Sequence, residues 1–342
     1  MEKVISKRDN GHFAGCLLGG AIGDALGWLF SQQGVTDLSG EENVKAVITD
    51  DTQLTLFTAE GLLRAETRRR EKGTCYPPSI VYYAYLRWLH TQGYPQDVNK
   101  ADIYDGFLIT IKELHASRSP GKTCVSALLS GKYGKVHERI NDSKGCGGVK
   151  RVAPIGLYTS RKTAFELGCE CAAITHGHPS GYLAAGVFAQ IISALIAGFE
   201  LKEAIFEALD ILADYQDYEE CNRIMRKAVK LAQSDQDSGE AVKLLGDGNV
   251  AEEALAIAVY FALKYPTDFK KAICTAASFH ELRSKTVTAL TGNILGTYLG
   301  IKAIPVEWIE KVELKDVILQ IADDLFTGYK GTLDWWHRYP GY

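Results

Sequence analysis

The stretch 15-GCLLGGAIGDALG-27 decides the fold class, because it is apolar, glycine-spaced and interrupted by a single carboxylate. Small residues at that density let a helix approach its neighbours closely, a packing role that needs no ligand. A second stretch, 290-LTGNILGTYLG-300, has the same character. Working outward from them, helical signals dominate. Residues 12–28 and 52–66 read as helices, and 78–91 starts behind Pro77-Pro78, a helix-entry signal. Further helices are expected over 163–174, 181–199, 201–215, 218–233, 251–265, 267–278, 286–300 and 314–326. The helix 251-AEEALAIAVYFALKY-265 carries glutamates in its first turn, where the helix dipole favours them. The nearest approach to a strand is 44-VKAVITD-50. With no Pro-, Gly- or Ser-rich linker and no internal repeat, residues 1–342 are expected to form one all-α domain, a compact bundle of about a dozen or more helices.

The composition narrows the possible partners. A net charge of −4 argues against nucleic acid or an anionic membrane surface, and the one basic run, Arg68-Arg69-Arg70, is flanked by Glu66 and Glu71. Eight scattered cysteines with no CxxC pair suit reduced thiols better than a disulfide frame or a zinc site. The first residues, MEKVISKRDN, lack an apolar signal region, so a cytoplasmic location is expected. The apolar run from Tyr182 to Phe199 is marginal for a membrane span and carries Gln190 and Ser193, which favours a helix buried on all sides.

Four constellations can carry chemistry. In 49-TDDT-52, Asp50 and Asp51 lie between Thr49 and Thr52 just before an amphipathic helix. Such hard oxygens suit Mg²⁺, although a carboxylate at a helix start also serves as an ordinary cap. Asp24, inside an apolar helix, needs a partner if buried and either bonds a helix end or orients a site. In 143-SKGCGGVKRVAPIG-156, Gly145, Cys146, Gly147 and Gly148 form either an anion-binding nest of backbone N–H groups or a plain turn; Lys144, Lys150 and Arg151 add positive charge. In 175-THGHPSGY-182, His176 and His178 precede a long helix without a third soft ligand, which favours a cap with one ring facing a pocket over a zinc site.

Together these motifs resemble the ADP-ribosylglycohydrolase family, which includes the dinitrogenase reductase-activating glycohydrolases and the ADP-ribosylarginine hydrolases. The resemblance runs nearly end to end, through 15-GCLLGGAIGDALG-27, 48-ITDDTQLTLFTAEGLL-63, 119-SPGKTCVSALLSG-131, 143-SKGCGGVKRVAPIG-156, 175-THGHPSGYLAAG-186, 251-AEEALAIAVY-260, 290-LTGNILGTYLG-300 and 335-WWHRYPGY-342. It implies an all-α fold with two Mg²⁺ ions, or Mn²⁺ in some members, that hold ADP-ribose and the water that opens the bond at its distal ribose. By position, Thr49, Asp50, Asp51 and Thr286 would be metal ligands, and Gly145 to Gly148 would lie along the diphosphate. His176 and Tyr182 would fall near the ribose and adenine.

Two departures from the family pattern bear on activity. After the histidine matching His280 the family has a small residue, Gly, Asp, any residue, Asp, then Ser or Thr, and both aspartates bind metal. This chain has 281-ELRSKT-286, with Arg283 and Lys285 at the aspartate positions. An acidic residue usual soon after the GDALG motif is also missing from 28-WLFSQQ-33, where Ser31 or a glutamine stands. Arg283 and Lys285 are therefore expected beside Asp50 and Asp51, two cations balancing two anions, with no metal or a single Mg²⁺ retained through Glu281. The expected function is binding of ADP-ribose or an ADP-ribosylated protein or small molecule, with metal-dependent hydrolysis lost or altered. The alternatives are a hydrolase that uses Asp50 or Asp51 with one or no Mg²⁺, and a non-enzymatic immunity protein acting on an ADP-ribosyltransferase.

Overall fold

The computed structural model describes residues 8–39, 44–279 and 284–341. Its α-helices begin with α1 (Asn10–Gln33), α2 (Asp50–Lys72), α3 (Pro77–Thr91), α4 (Lys122–Leu129), α5 (Ala153–Tyr158) and α6 (Arg161–Ala173). They continue with α7 (Pro179–Ile196), α8 (Leu201–Leu212), α9 (Glu219–Ala232), α10 (Ser238–Leu245) and α11 (Ala251–Lys264). The last are α12 (Phe269–Ala277), α13 (Ser284–Leu299), α14 (Val306–Lys311), α15 (Lys315–Thr327) and α16 (Leu333–Arg338). The fold is all-α, and no β-strand occurs among the described residues. The strand candidate at 44–50 contributes only a bridge between Ala46 and Val312, because Thr49 already turns away to begin α2. The short helices α4, α5, α10, α14 and α16 have too few turns for a clear apolar period, and the sequence had not marked them.

The glycines of α1 at 15, 19, 23 and 27 are spaced by four, so they form one stripe along the helix. Helix α13 runs antiparallel against that stripe. A Cβ at Gly15 would lie 2.3 Å from the Gly296 carbonyl, and one at Gly19 would lie 2.4 Å from the Gly292 carbonyl. The same atom at Gly23 would meet the Thr288 carbonyl at 2.1 Å, and at Gly27 the Lys285 Cα at 2.4 Å. The two backbones are thus in direct contact along the whole stripe. Hydrogen bonds fix the register: Asn293 Nδ2 donates to the Cys16 carbonyl (2.8 Å), and Thr288 Oγ1 donates to the Gly23 carbonyl (2.6 Å).

Around this pair the apolar faces of α2, α5, α7, α11 and α15 close one contiguous core. Helices α1 and α7 are each long and apolar enough to cross a membrane, but 94% of the apolar window of each is buried inside the protein. None of the eight cysteines forms a disulfide. The basic run is bound rather than loose: Arg69 and Arg70 both bond the carboxylate of Glu66.

Gly292→Ala is expected to destabilise the fold by about 2–3 kcal/mol, because a methyl group 2.0 Å from the Gly19 carbonyl forces α1 and α13 apart. Gly73→Ala, at φ 80° with nothing within 4 Å, should cost only about 1 kcal/mol of left-handed strain. Chemical denaturation of both variants measures the difference.

Candidate functional site

Asp24 of α1 organises the start of α2. Its Oδ2 accepts from the backbone N–H groups of Thr49 (2.8 Å) and Thr52 (3.2 Å) and from the Thr52 hydroxyl (2.7 Å). Its Oδ1 accepts from the Thr49 hydroxyl (2.6 Å). Thr49 itself caps α2 by accepting from the Asp51 N–H (3.4 Å). A buried carboxylate with four donors is thereby satisfied, while burial and the Asp51 charge push its pKa up to about 6. Asp24 lies behind the start of α2 and does not line the cleft described below.

With α2 so held, Asp50 and Asp51 project side by side in full burial. Lys285, in the first turn of α13, places its Nζ 2.6 Å from Asp50 Oδ1 and 3.1 Å from Asp51 Oδ1. Lys150 Nζ bonds Asp50 Oδ2 and lies 2.7 Å from Asp51 Oδ1. The Gly121 N–H donates to Asp50 Oδ2 (3.1 Å), and the Thr286 hydroxyl donates to Asp51 Oδ2 (2.6 Å). Every carboxylate oxygen of the pair thus has at least one donor. The electrostatics reinforce the geometry. Burial alone would raise the Asp51 pKa, but Lys150 and Lys285 outweigh it and hold the group well below the usual carboxylate range. Burial likewise works against the Lys150 ammonium, yet Asp50 and Asp51 hold it well above the usual lysine range.

The two lysines form part of the floor of a cleft of about 360 Å³. The loop 119–121 and the start of α4 make one wall, and Gly145, Cys146, Gly147 and His176 make the other. Ser119 sits in the left-handed region at φ 54°, which curls the loop so that its carbonyl comes 3.5 Å from Lys285 Nζ. His176 is buried and neutral, since burial and the charges of Arg151 and Lys150 lower its pKa well below the usual histidine range. His178 caps α7 by accepting from the Ser180 N–H (3.2 Å).

Of the residues singled out in the sequence, Asp50, Asp51, Thr49, Lys285 and Thr286 come together, and Gly145, Cys146, Gly147 and His176 face the same cleft. Gly148 and Tyr182 do not line it; Tyr182 packs, partly buried, against the core. Arg283 lies outside the described residues, as do His280 and Glu281. The cation that sequence alone does not place is Lys150, where the sequence shows only positive charge beside the glycine loop. A three-residue 3-10 turn, Val149–Arg151, directs it inward to Asp50, a hundred positions away in sequence. A larger shallow groove of about 740 Å³, between residues 44–45 and 310–317, has mixed charge and none of these motifs.

Comparison with known proteins defines the class to which this fold belongs. The chain belongs to the ADP-ribosylglycohydrolase family, whose model matches residues 6–333. It is similar to ADP-ribosylhydrolase ARH3 of Bos taurus, with 24% identity over 371 aligned positions covering 93% of this chain and 94% of the relative. The Homo sapiens ADP-ribosylhydrolase ARH3 is 23% identical over 367 positions, again covering 93% of this chain and 94% of the relative. A solved structure described as an ADP-ribosylglycohydrolase-related protein complex shares the fold, with a TM-score of 0.65 at 21% identity over 93% of this chain and 98% of that one.

Lys150→Met is expected to cost about 3–5 kcal/mol at neutral pH, because it leaves two buried carboxylates with a single ammonium. The pH dependence follows from the signs of the shifts. Asp51, lowered in the folded state, contributes stability that is present above its ordinary value of 3.8 and lost as pH falls below it. Lys150, raised, contributes stability present below 10.5 and lost as pH rises beyond it. Asp24 acts oppositely to Asp51, adding stability as pH falls from about 6 towards 3.8. Thermal melts from pH 2.5 to 11 should therefore show acid and alkaline losses in the native protein, both smaller in Lys150→Met.

Proposed function

We propose that this chain binds ADP-ribose, or the ADP-ribosyl group of a modified protein or small molecule, in the cleft above Lys150 and Lys285, without two-metal hydrolysis. The observation that carries this reading is the occupation of the Asp50 and Asp51 oxygens by two ammonium groups. Mg²⁺ demands carboxylate oxygens directed at it in near-octahedral geometry. Here three of the four oxygens already accept from lysine and Asp51 Oδ2 accepts from the Thr286 hydroxyl, so a divalent ion among them would stand beside two like charges. The Mg²⁺ pair implied by the family resemblance does not fit this donor set. Among the described residues, no group of three or more His, Cys, Asp or Glu side chains is arranged to hold a metal ion.

The same occupation weighs against Asp50 or Asp51 as a general base, since neither buried carboxylate offers the cleft an unbonded oxygen. Ligand binding, in contrast, keeps its supports. The cleft is within the size range of small-molecule sites. The start of α4 enters it with no side-chain cap on its N–H groups, a favourable setting for phosphate. Lys122 and the glycine loop flank that helix end.

Calorimetric titration with ADP-ribose should give one affinity in Mg²⁺ and in EDTA, and purified protein should release no ADP-ribose from modified protein at enzymatic rates. Strict Mg²⁺ dependence or steady turnover would overturn the proposal. The double variant Lys150→Met with Lys285→Asp removes both ammonium groups and adds a carboxylate. Saturating Mn²⁺ is expected to raise its melting temperature by about 5 °C while leaving that of the native chain unchanged, as read by thermal shift.

A further inference from the structure

The buried hydrogen-bond chain behind the cleft carries a second inference, which rests on the ligand-binding reading just given. Arg151 is buried, stacks its guanidinium 4.0 Å from the centre of the Tyr85 ring, and donates from Nη2 to the Cys171 carbonyl (3.1 Å) and to the Thr175 hydroxyl (2.8 Å). Thr175 Oγ1 in turn lies 2.8 Å from His176 Nδ1. The guanidinium can only donate, so the Thr175 oxygen is an acceptor on that side. Its one hydrogen then needs an acceptor of its own, and Thr175 is fully buried, away from bulk water. His176 Nδ1 is the acceptor in reach. The opposite tautomer would make Thr175 accept twice and leave its hydrogen without a partner.

We infer that the Arg151–Thr175 chain fixes His176 in its Nε2–H tautomer, so that the ring presents a single uncharged donor to the cleft and selects an oxygen acceptor on the ligand. The position of the ring agrees with this. Among the described residues Nε2 has no protein partner, and it borders the glycine wall: a Cβ on Gly145 would lie 3.7 Å from it. A Cβ on Gly147 would meet Cε1 at 2.7 Å and Nε2 at 2.9 Å, so the absence of a side chain there leaves room for the ring. Peptide groups above and below Thr175 hold the chain in place. The His176 N–H donates to the Ala172 carbonyl (3.0 Å), and Asn141 Nδ2 donates to the Thr175 carbonyl (2.9 Å). Arg151 and Thr175 are positioning residues; the partner they select is a ribose hydroxyl or phosphoryl oxygen, not a ligand N–H.

The test is long-range ¹H–¹⁵N correlation of the His176 imidazole in the full chain, combined with calorimetric titration using ADP-ribose. The native protein should show Nε2–H and an unprotonated Nδ1 with or without ADP-ribose present. Thr175→Val, which keeps the shape and removes the hydroxyl, should mix the tautomers and weaken ADP-ribose binding about tenfold, whereas Thr175→Ser should restore both within about twofold. An Nδ1–H ring in the native protein overturns the inference whatever the variants do. So does an unchanged affinity in a folded Thr175→Val. If the native chain shows Nε2–H but does not bind ADP-ribose, the ligand reading fails while the tautomer assignment stands, so the two failures are distinguishable.

Discussion

The contact on which the rest of the molecule depends is the backbone-to-backbone approach of α1 and α13. Four glycines at four-residue spacing remove every Cβ from one stripe of α1, and backbone atoms of α13, carbonyls at the first three and the Lys285 Cα at the fourth, crowd where those atoms would be. Dispersion between closely packed backbones is individually weak and collectively large. Its consequence here is positional. Gly27, the last glycine of the stripe, lets the backbone at Lys285 settle directly against α1, and the Lys285 side chain then points at the start of α2. Three residues earlier on α1, Asp24 bonds the N–H and hydroxyl groups of Thr49 and Thr52. One helix therefore sets both halves of the site, the carboxylates through Asp24 and the cation through Gly27.

The site built on that frame is governed by desolvation. Two carboxylates taken out of water must be compensated, by metal ions or by protein cations. Lys150 and Lys285 do this with ammonium groups that share the Asp51 Oδ1 atom, and with Asp24 the cluster has three carboxylates and two ammonium groups among the described residues. Burying charges in this way contributes little net stability compared with a well-packed apolar core, but it makes each partner hard to remove singly.

Much of this was legible in the sequence. Long apolar helices announce themselves through composition and period: α7, α11 and α13 lie within about three residues of the expected ends, whereas α1 and α2 start where expected but run to Gln33 and Lys72, past the expected ends at 28 and 66. The replacement of an expected aspartate by Lys285 was visible because the TGNILG run anchors its alignment, and Lys285 does meet Asp50 and Asp51. The short helices around the cleft left no comparable signal. Neither did the loop 118–121, which reaches Asp50 through the Arg118 carbonyl and the Gly121 N–H. Such contacts belong to backbone groups, which every residue has, so no residue type marks them.

The sequence by itself determined the all-α architecture, the family, the paired carboxylates at the start of α2 and the cation that stands opposite them. Only the tertiary structure decided that Lys150 meets Asp50 and Asp51 beside Lys285, that Asp24 is turned inward to the helix start, and that Arg151 and Thr175 stand behind His176. The reason lies in range. Helical periodicity and motif spacing are local properties of the chain, whereas Lys150 meets Asp50 across a hundred residues, through the packing of a glycine loop against α2 and α7. Whether a lysine in such a loop faces water or a buried carboxylate depends on what the fold places beneath it, and that is settled by packing alone.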